Sequence, residues 1–260
     1  MNLKTYSLFY YGIEVTEFNR WLDFEDDDGE WNVQLPLGGY TLTSLARQIR
    51  RSMNSSGTTF RYLVNVNRVE RFITIKSVTN NNFKLNFLSG PNSNLGIWDL
   101  IGFPKLDFVG DFEYTSQTPI GKIYRPQFYL QNYLDYTMNR TPLNASVNIS
   151  ADGRFVEVIG YNKSRIFKFD IRYITNLNTG SSVIRYRPNA IEEAVDFMSY
   201  CTNGYPVEFM RDENDVNNYV EAILLRTATS NQGIGFEITS DYDANLPEFY
   251  KIEQLVFREV

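Results

Sequence analysis

Two periods run through the apolar positions of this chain. Leu42, Leu45, Ala46, Ile49 and Met53 recur at helical spacing behind Thr41 and Ser44, with Gly57 beyond as a stop. They predict one amphipathic helix whose arginines Arg47, Arg50 and Arg51 face away from the apolar stripe. Strand patterns then take over in residues 61–66, 72–77 and 83–88, broken by Asn67-Arg68 and by Thr79-Asn80-Asn81-Asn82. These three runs are expected to form a small antiparallel sheet against the helix. Residues 95–101 are expected to add one or two helical turns before Gly102-Phe103-Pro104.

Alternation is more regular past residue 140. Residues 145–150 and 155–159 flank Asp152-Gly153 as a hairpin, and a longer strand follows through Ile166, Phe167, Phe169 and Ile171. A second helix is expected with Asn189 as N-cap, Glu192 in capping-box position, and Asn203-Gly204 as its stop. Ile191, Ala194, Val195, Met198 and Cys201 would form its buried face. Strands at 206–210, 219–226, 235–239 and 249–258 complete a mainly β reading. The polar run Asn139-Arg140-Thr141-Pro142-Leu143-Asn144 suggests a boundary, giving an N-terminal α+β domain over 1–140 and a C-terminal β-rich domain over 141–260.

Composition narrows the chemistry. The 260 residues are 43% hydrophobic and 22% charged, ordinary globular values. The 19 Phe, 18 Tyr and 3 Trp suit strands. With no histidine, Ser-His-Asp and Cys-His nucleophiles and His-ligated zinc are unavailable. Cys201 is the only cysteine, which excludes an intrachain disulfide and a multi-cysteine metal site, and it is expected to be buried and inert. The N-terminus carries neither a secretory signal pattern nor an unbroken apolar span, so synthesis in a cytoplasm and no membrane insertion are expected. Lys and Arg balance Asp and Glu at 14 each in residues 1–140, whereas residues 141–260 hold 11 against 17 and carry the whole net charge of −6.

Four clusters invite a functional reading. Asp23-Phe-Glu25-Asp26-Asp27-Asp28-Gly29-Glu30 suggests a cation loop, but placing Gly29 at the loop glycine puts Phe24 at the first ligand position and Leu35 where a bidentate glutamate belongs. A solvated acidic turn is expected instead, with a divalent cation at Asp23–Glu30 as the alternative. Asp212, Glu213 and Asp215 offer carboxylates without evidence of catalytic spacing. Gly233 and Gly235 lie between strands and suit a hairpin turn better than a phosphate loop. Arg47, Arg50, Arg51, Arg61, Arg68 and Arg71 interleave with Phe60, Tyr62 and Phe72. The neutral first domain favours a helix face or an intersubunit surface over nucleic-acid binding. Trp31 and Trp98 with the many Asn residues also allow sugar stacking.

Residues 144–260 resemble the tail-tube type of domain in bacteriophage tail proteins, including tube and distal-tail baseplate hub proteins. The resemblance rests on the hairpin "VNISADGRFVEVIGY", the strand "RIFKFDIRYI", the helix "NAIEEAVDFMSYCTNGYPVEFMRD" running into a strand, and the terminal "YKIEQLVFREV". The first part is similar to segments of viral and phage tail or appendage proteins through "LPLGGYTLTSLARQIRRSMN" and "FKLNFLSGPNSNLGIWDLIGFP". The resemblance implies a β-sandwich with one packed helix, whose copies join sheets into a hexameric ring around a DNA channel in the virion tail. It implies a non-enzymatic role with no catalytic, cofactor or metal residues, other tail or baseplate proteins as neighbours, and transient, non-specific passage of DNA. The familiar distal-tail order places the tube-like domain first, whereas here it comes second. A host-surface glycan-binding module is the alternative.

Overall fold

The computed structural model describes residues 8–125, 135–143, 146–149, 156–159, 162–175, 189–210, 214–226, 237–240 and 249–260. The fold is mainly β, with two α-helices among the described residues. It divides into two compact units, one comprising Phe9–Ile123 with Asp215–Tyr219, the other Met1–Leu8, Tyr124–Asn214 and Val220–Val260. Among the described residues no helix is long and apolar enough to cross a membrane.

The first unit runs through β1 (Leu8–Tyr11), β2 (Ile13–Val15), β3 (Trp21–Asp26), β4 (Gly29–Gln34), β5 (Gly38–Tyr40), α1 (Leu42–Asn54), β6 (Tyr62–Asn67) and β7 (Phe72–Ser77). It continues through β8 (Phe83–Asn86), a 3-10 turn at Ser93–Leu95, β9 (Asp107–Asp111), β10 (Glu113–Thr115) and β11 (Lys122–Tyr124), whose last residue, Tyr124, belongs to the second unit, as does Leu8 of β1. In α1 the five apolar residues of the predicted stripe are all buried. A reciprocal cap starts the helix: Thr41 Oγ1 accepts from the Ser44 amide at 2.9 Å, and Ser44 Oγ accepts from the Thr41 amide at 2.8 Å. Residues 95–101 form turns, one closing from the Ile101 amide to the Ile97 carbonyl at 3.1 Å.

Strand pairing departs from the expected single sheet of three strands. β6 and β7 pair, but the third strand of their sheet is β10, while β8 joins a separate sheet of order β4-β3-β8-β9. Ring contacts between the sheets account for this. Phe24 on β3 meets Tyr62 on β6 at 5.4 Å between centroids. Tyr62 meets Phe83 on β8 at 5.1 Å, and Phe83 meets Tyr114 on β10 at 5.0 Å, all edge-on. Each such contact adds about 0.5–1.5 kcal/mol beyond burial. The link through Thr79–Asn82 lets the chain cross between layers, so ring packing rather than a local hairpin selects the partner of β8.

The second unit contains β12 (Asp135–Leu143), β13 (Ser146–Ile149), β14 (Val156–Ile159), β15 (Asn162–Thr175), β16 (Asn189–Ala190), α2 (Ile191–Thr202), β17 (Val207–Met210), β18 (Tyr219–Arg226, of which Tyr219 belongs to the first unit), β19 (Thr239–Ser240) and β20 (Phe249–Glu259). Its main sheet has the order β17-β18-β20-β15-β12. Phe167 of β15 stands opposite Phe257 of β20, and Ile171 opposite Ile252, with register shifts on both sides of Ile171. β13 and β14 pair as the predicted hairpin, with Ile149 opposite Val156. Its Asp152-Gly153 turn lies outside the described residues, as do Gly233 and Gly235.

Two expectations for α2 need correction. Asn189 is not the N-cap: it lies in β16, paired in parallel with Ile174 of β15, and the helix starts at Ile191. Val195 is not on the buried face. It is 39% exposed, and Phe197 is buried instead, stacked on Tyr124 at 4.5 Å between centroids. Turning the ring inward removes more apolar surface from water than burying Val195 would. The helix stop is as expected, with Gly204 at φ +77° and its amide 3.0 Å from the Cys201 carbonyl. Cys201 is fully buried, and that burial pushes its thiol pKa well up.

Candidate functional site

The acidic run of the first unit is a hairpin whose carboxylates are largely taken. Asp26 ends β3 and Gly29 begins β4 directly opposite, with Asp27 and Asp28 between them. Because Leu22, Phe24 and Asp26 share one face of β3, the Asp26 carboxylate follows two core residues inward and is 8% exposed. Oδ2 accepts from the Thr58 hydroxyl at 2.6 Å and the Tyr62 hydroxyl at 2.8 Å. Oδ1 accepts from Trp31 Nε1 at 2.9 Å and the Asp28 amide at 3.0 Å. Burial, then the bond to Asp26, holds the Tyr62 phenol far above its ordinary pKa.

Neighbouring carboxylates serve the same end. Asp28 accepts from the Thr59 hydroxyl and amide, both at 2.6 Å, and these bonds lower its pKa. Asp23 accepts from the Asn92 amide at 2.7 Å and side chain at 3.0 Å. The chain comes so close there that a Cβ on Gly90 would sit 2.4 Å from the Asn86 carbonyl oxygen and 2.5 Å from Asp23 Oδ2. The expectation of a solvated acidic turn therefore holds only at the tip, where Asp27 and Asp28 are exposed; Asp23 and Asp26 are buried ties. No group of three metal-ligating side chains occurs among the described residues.

The six arginines divide by what they touch. Arg71 donates to the carbonyls of Ile120 at 3.1 Å and Gly121 at 2.6 Å, and Arg61 donates to the Phe60 carbonyl at 3.1 Å. Arg68 lies over the Tyr219 ring, 3.7 Å from its centroid, and donates to Thr43 Oγ1. Thr43 in turn reaches the Tyr219 hydroxyl at 3.2 Å. Arg47, Arg50 and Arg51 are exposed on α1, and none of them makes a hydrogen bond or ion pair with the described residues.

Between α1 and β6 these side chains border a cleft of about 280 Å³, with Arg47, Arg50 and Arg68 as its cations and Ala46, Val64 and Val66 as its apolar wall. Thr43, Asn65 and Tyr219 supply the remaining lining, and among the described residues no carboxylate contributes to it. Arg47 and Arg50 are three residues apart, one turn along the same helix face, where like charges destabilise by about 0.2–0.5 kcal/mol. A bound anion would relieve that repulsion.

The remaining candidates do not join this cleft. Asp212 and Glu213 lie outside the described residues, and Asp215 is an exposed turn residue whose carbonyl accepts from the Asn218 amide at 3.0 Å. Trp31 and Trp98 are half-buried and use their indole N–H groups internally, on Asp26 at 2.9 Å and on the Ser93 carbonyl at 3.2 Å. In the sequence Tyr219 only opens a strand pattern, and nothing adjacent to it signals its place beside Arg68. The sequence matches no protein-family model and no curated protein.

Proposed function

We propose that this chain is a non-enzymatic structural subunit of a phage tail, at or near the distal hub, whose copies extend one another's sheets into a closed ring of six around the DNA channel. The observation that carries the reading is the edge of the second unit's sheet. β12 pairs along all nine residues with β15 and, among the described residues, with no other strand. Pro142 in β12 lacks a backbone donor, which suits an edge strand and no central one. A long unpaired edge invites association, and a closed ring satisfies it without leaving a free end.

Two further features agree with this reading. One helix accompanies the main sheet, as in the β-sandwich that the tail-tube resemblance implies. The acidic excess of residues 141–260 would repel phosphate and let DNA pass without adhering. The first unit would then meet other tail or baseplate proteins. Negative-stain images of the purified chain test the proposal: rings with a central hole of duplex width support it. Monomers at every concentration, binding a cell-surface glycan instead, overturn it.

A further inference from the structure

We propose that the cleft between α1 and β6 binds an extended acidic peptide segment of another protein, with its backbone along β6 and its carboxylates on Arg47 and Arg50. The inference is independent of ring formation. Among the described residues β6 is the outer strand of the sheet β10-β7-β6. On β7 the Ser77 amide donates to the Phe112 carbonyl at 2.9 Å, and Ile73 exchanges bonds with Ser116, so both residues turn their backbone groups toward the β10 side. Directly opposite residues in an antiparallel pair either exchange both bonds or neither. Tyr62 and Val66, opposite Ser77 and Ile73, therefore turn their groups away from β7, and alternation puts Val64 in the same sense.

At Tyr62 those groups are taken: the Asn54 side chain accepts from its amide at 2.8 Å and donates to its carbonyl at 3.1 Å. Val64 and Val66 border the cleft. An added strand would find backbone partners there, the mode by which sheet edges capture extended peptides. Its carboxylates would meet the guanidinium groups of Arg47 and Arg50, which suit paired recognition of carboxylate. Arg68 is already held against Tyr219 and Thr43, so it contributes field more than contact.

Nucleic acid fits less well. The chain carries a net charge of −6, and the acidic hairpin belongs to the same unit as the cleft, so a long polyanion meets repulsion that a short segment avoids. The apolar wall of Ala46, Val64 and Val66 offers phosphate nothing, whereas it suits aliphatic side chains between acidic ones.

The test is fluorescence anisotropy on the full chain with a labelled peptide of alternating Glu and Val. Saturable binding weakened by salt is expected, with affinity falling at least about tenfold in both Arg47→Glu/Arg50→Glu and Arg47→Gln/Arg50→Gln. Arg51→Glu, exposed on the same helix outside the cleft, should bind like the parent, and N-methylation of alternate peptide amides should abolish binding. Unchanged melting of the arginine variants confirms that they fold. Absence of saturable binding, an equal loss in Arg51→Glu, retained binding by the N-methylated peptide, equal binding of a Lys-Val peptide, or displacement by inorganic phosphate or single-stranded DNA at matched charge overturns the proposal.

Discussion

The acidic hairpin and the arginine helix belong to one unit and look alike in sequence, as dense runs of a single charge. They differ in how much hydrogen-bonding capacity is left. Asp26 accepts four hydrogen bonds and Asp28 three, all within the unit, so the hairpin's charge maintains structure. Arg47 and Arg50 make none with the described residues, and their charge remains available. A run of charge indicates a binding surface only when its donors or acceptors are not already used inside the fold.

The sharpest way to break this comparison is to remove Asp26. Asp26→Ala leaves Thr58, Tyr62 and Trp31 without their shared acceptor, and a cost of about 2–4 kcal/mol is expected. All three tryptophans, Trp21, Trp31 and Trp98, lie in the first unit, so denaturant unfolding followed by tryptophan emission reads that unit directly. A parental midpoint would mean the node holds nothing together.

The next effect is in the acid limb. The folded Asp28 carboxyl titrates below 3.8 because Thr59 donates to its charged form. Its contribution is complete above that unfolded value and is lost as the pH falls through the lower folded one. At Asp107 burial pushes the pKa up, but the amides of Ser89 and Leu88 outweigh it and leave the carboxyl below 3.8 as well. Asp28→Asn should flatten part of the stability loss below about pH 3.8, leaving the portion due to Asp107; an unaltered acid limb would remove Asp28 from the account.

Smaller changes sharpen the contrast. Trp31→Phe keeps a ring but removes one donor to Asp26, for an expected loss of about 0.5–1.5 kcal/mol in the same unfolding measurement. Arg47→Ala and Arg50→Ala should shift stability by no more than about 0.5 kcal/mol, and relief of their repulsion makes a slight gain the expected sign. A loss of several kcal/mol from either would show that the helix face is as structurally committed as the hairpin.

What the sequence reveals follows the range of the interactions involved. α1 is fully legible because its cap spans three residues and its stripe lies on one helix. β6 and β7 are legible as strands, yet the partner of β8 is not, because rings distant in sequence choose it. β3 and β4 escape notice because a carboxylate continues the inward face of Leu22 and Phe24, so the alternation looks like an acidic loop. At α2 the helix is legible but its orientation is not: Phe197 and Val195 compete for the interior, and local spacing gives no weight to ring size. The cleft's cations are visible in sequence; its aromatic wall is not.

That wall has a consequence for the order in which the protein is made. Tyr219 reaches the first unit only with Asp215–Tyr219, long after the ribosome has completed Phe9–Ile123. Domains commonly fold as they emerge, amino terminus first. A chain extended only as far as Ile123 could thus hold its helix and sheets while Arg68 still lacks the ring beneath it, and the cleft gains its aromatic side only once Asp215–Tyr219 has been made.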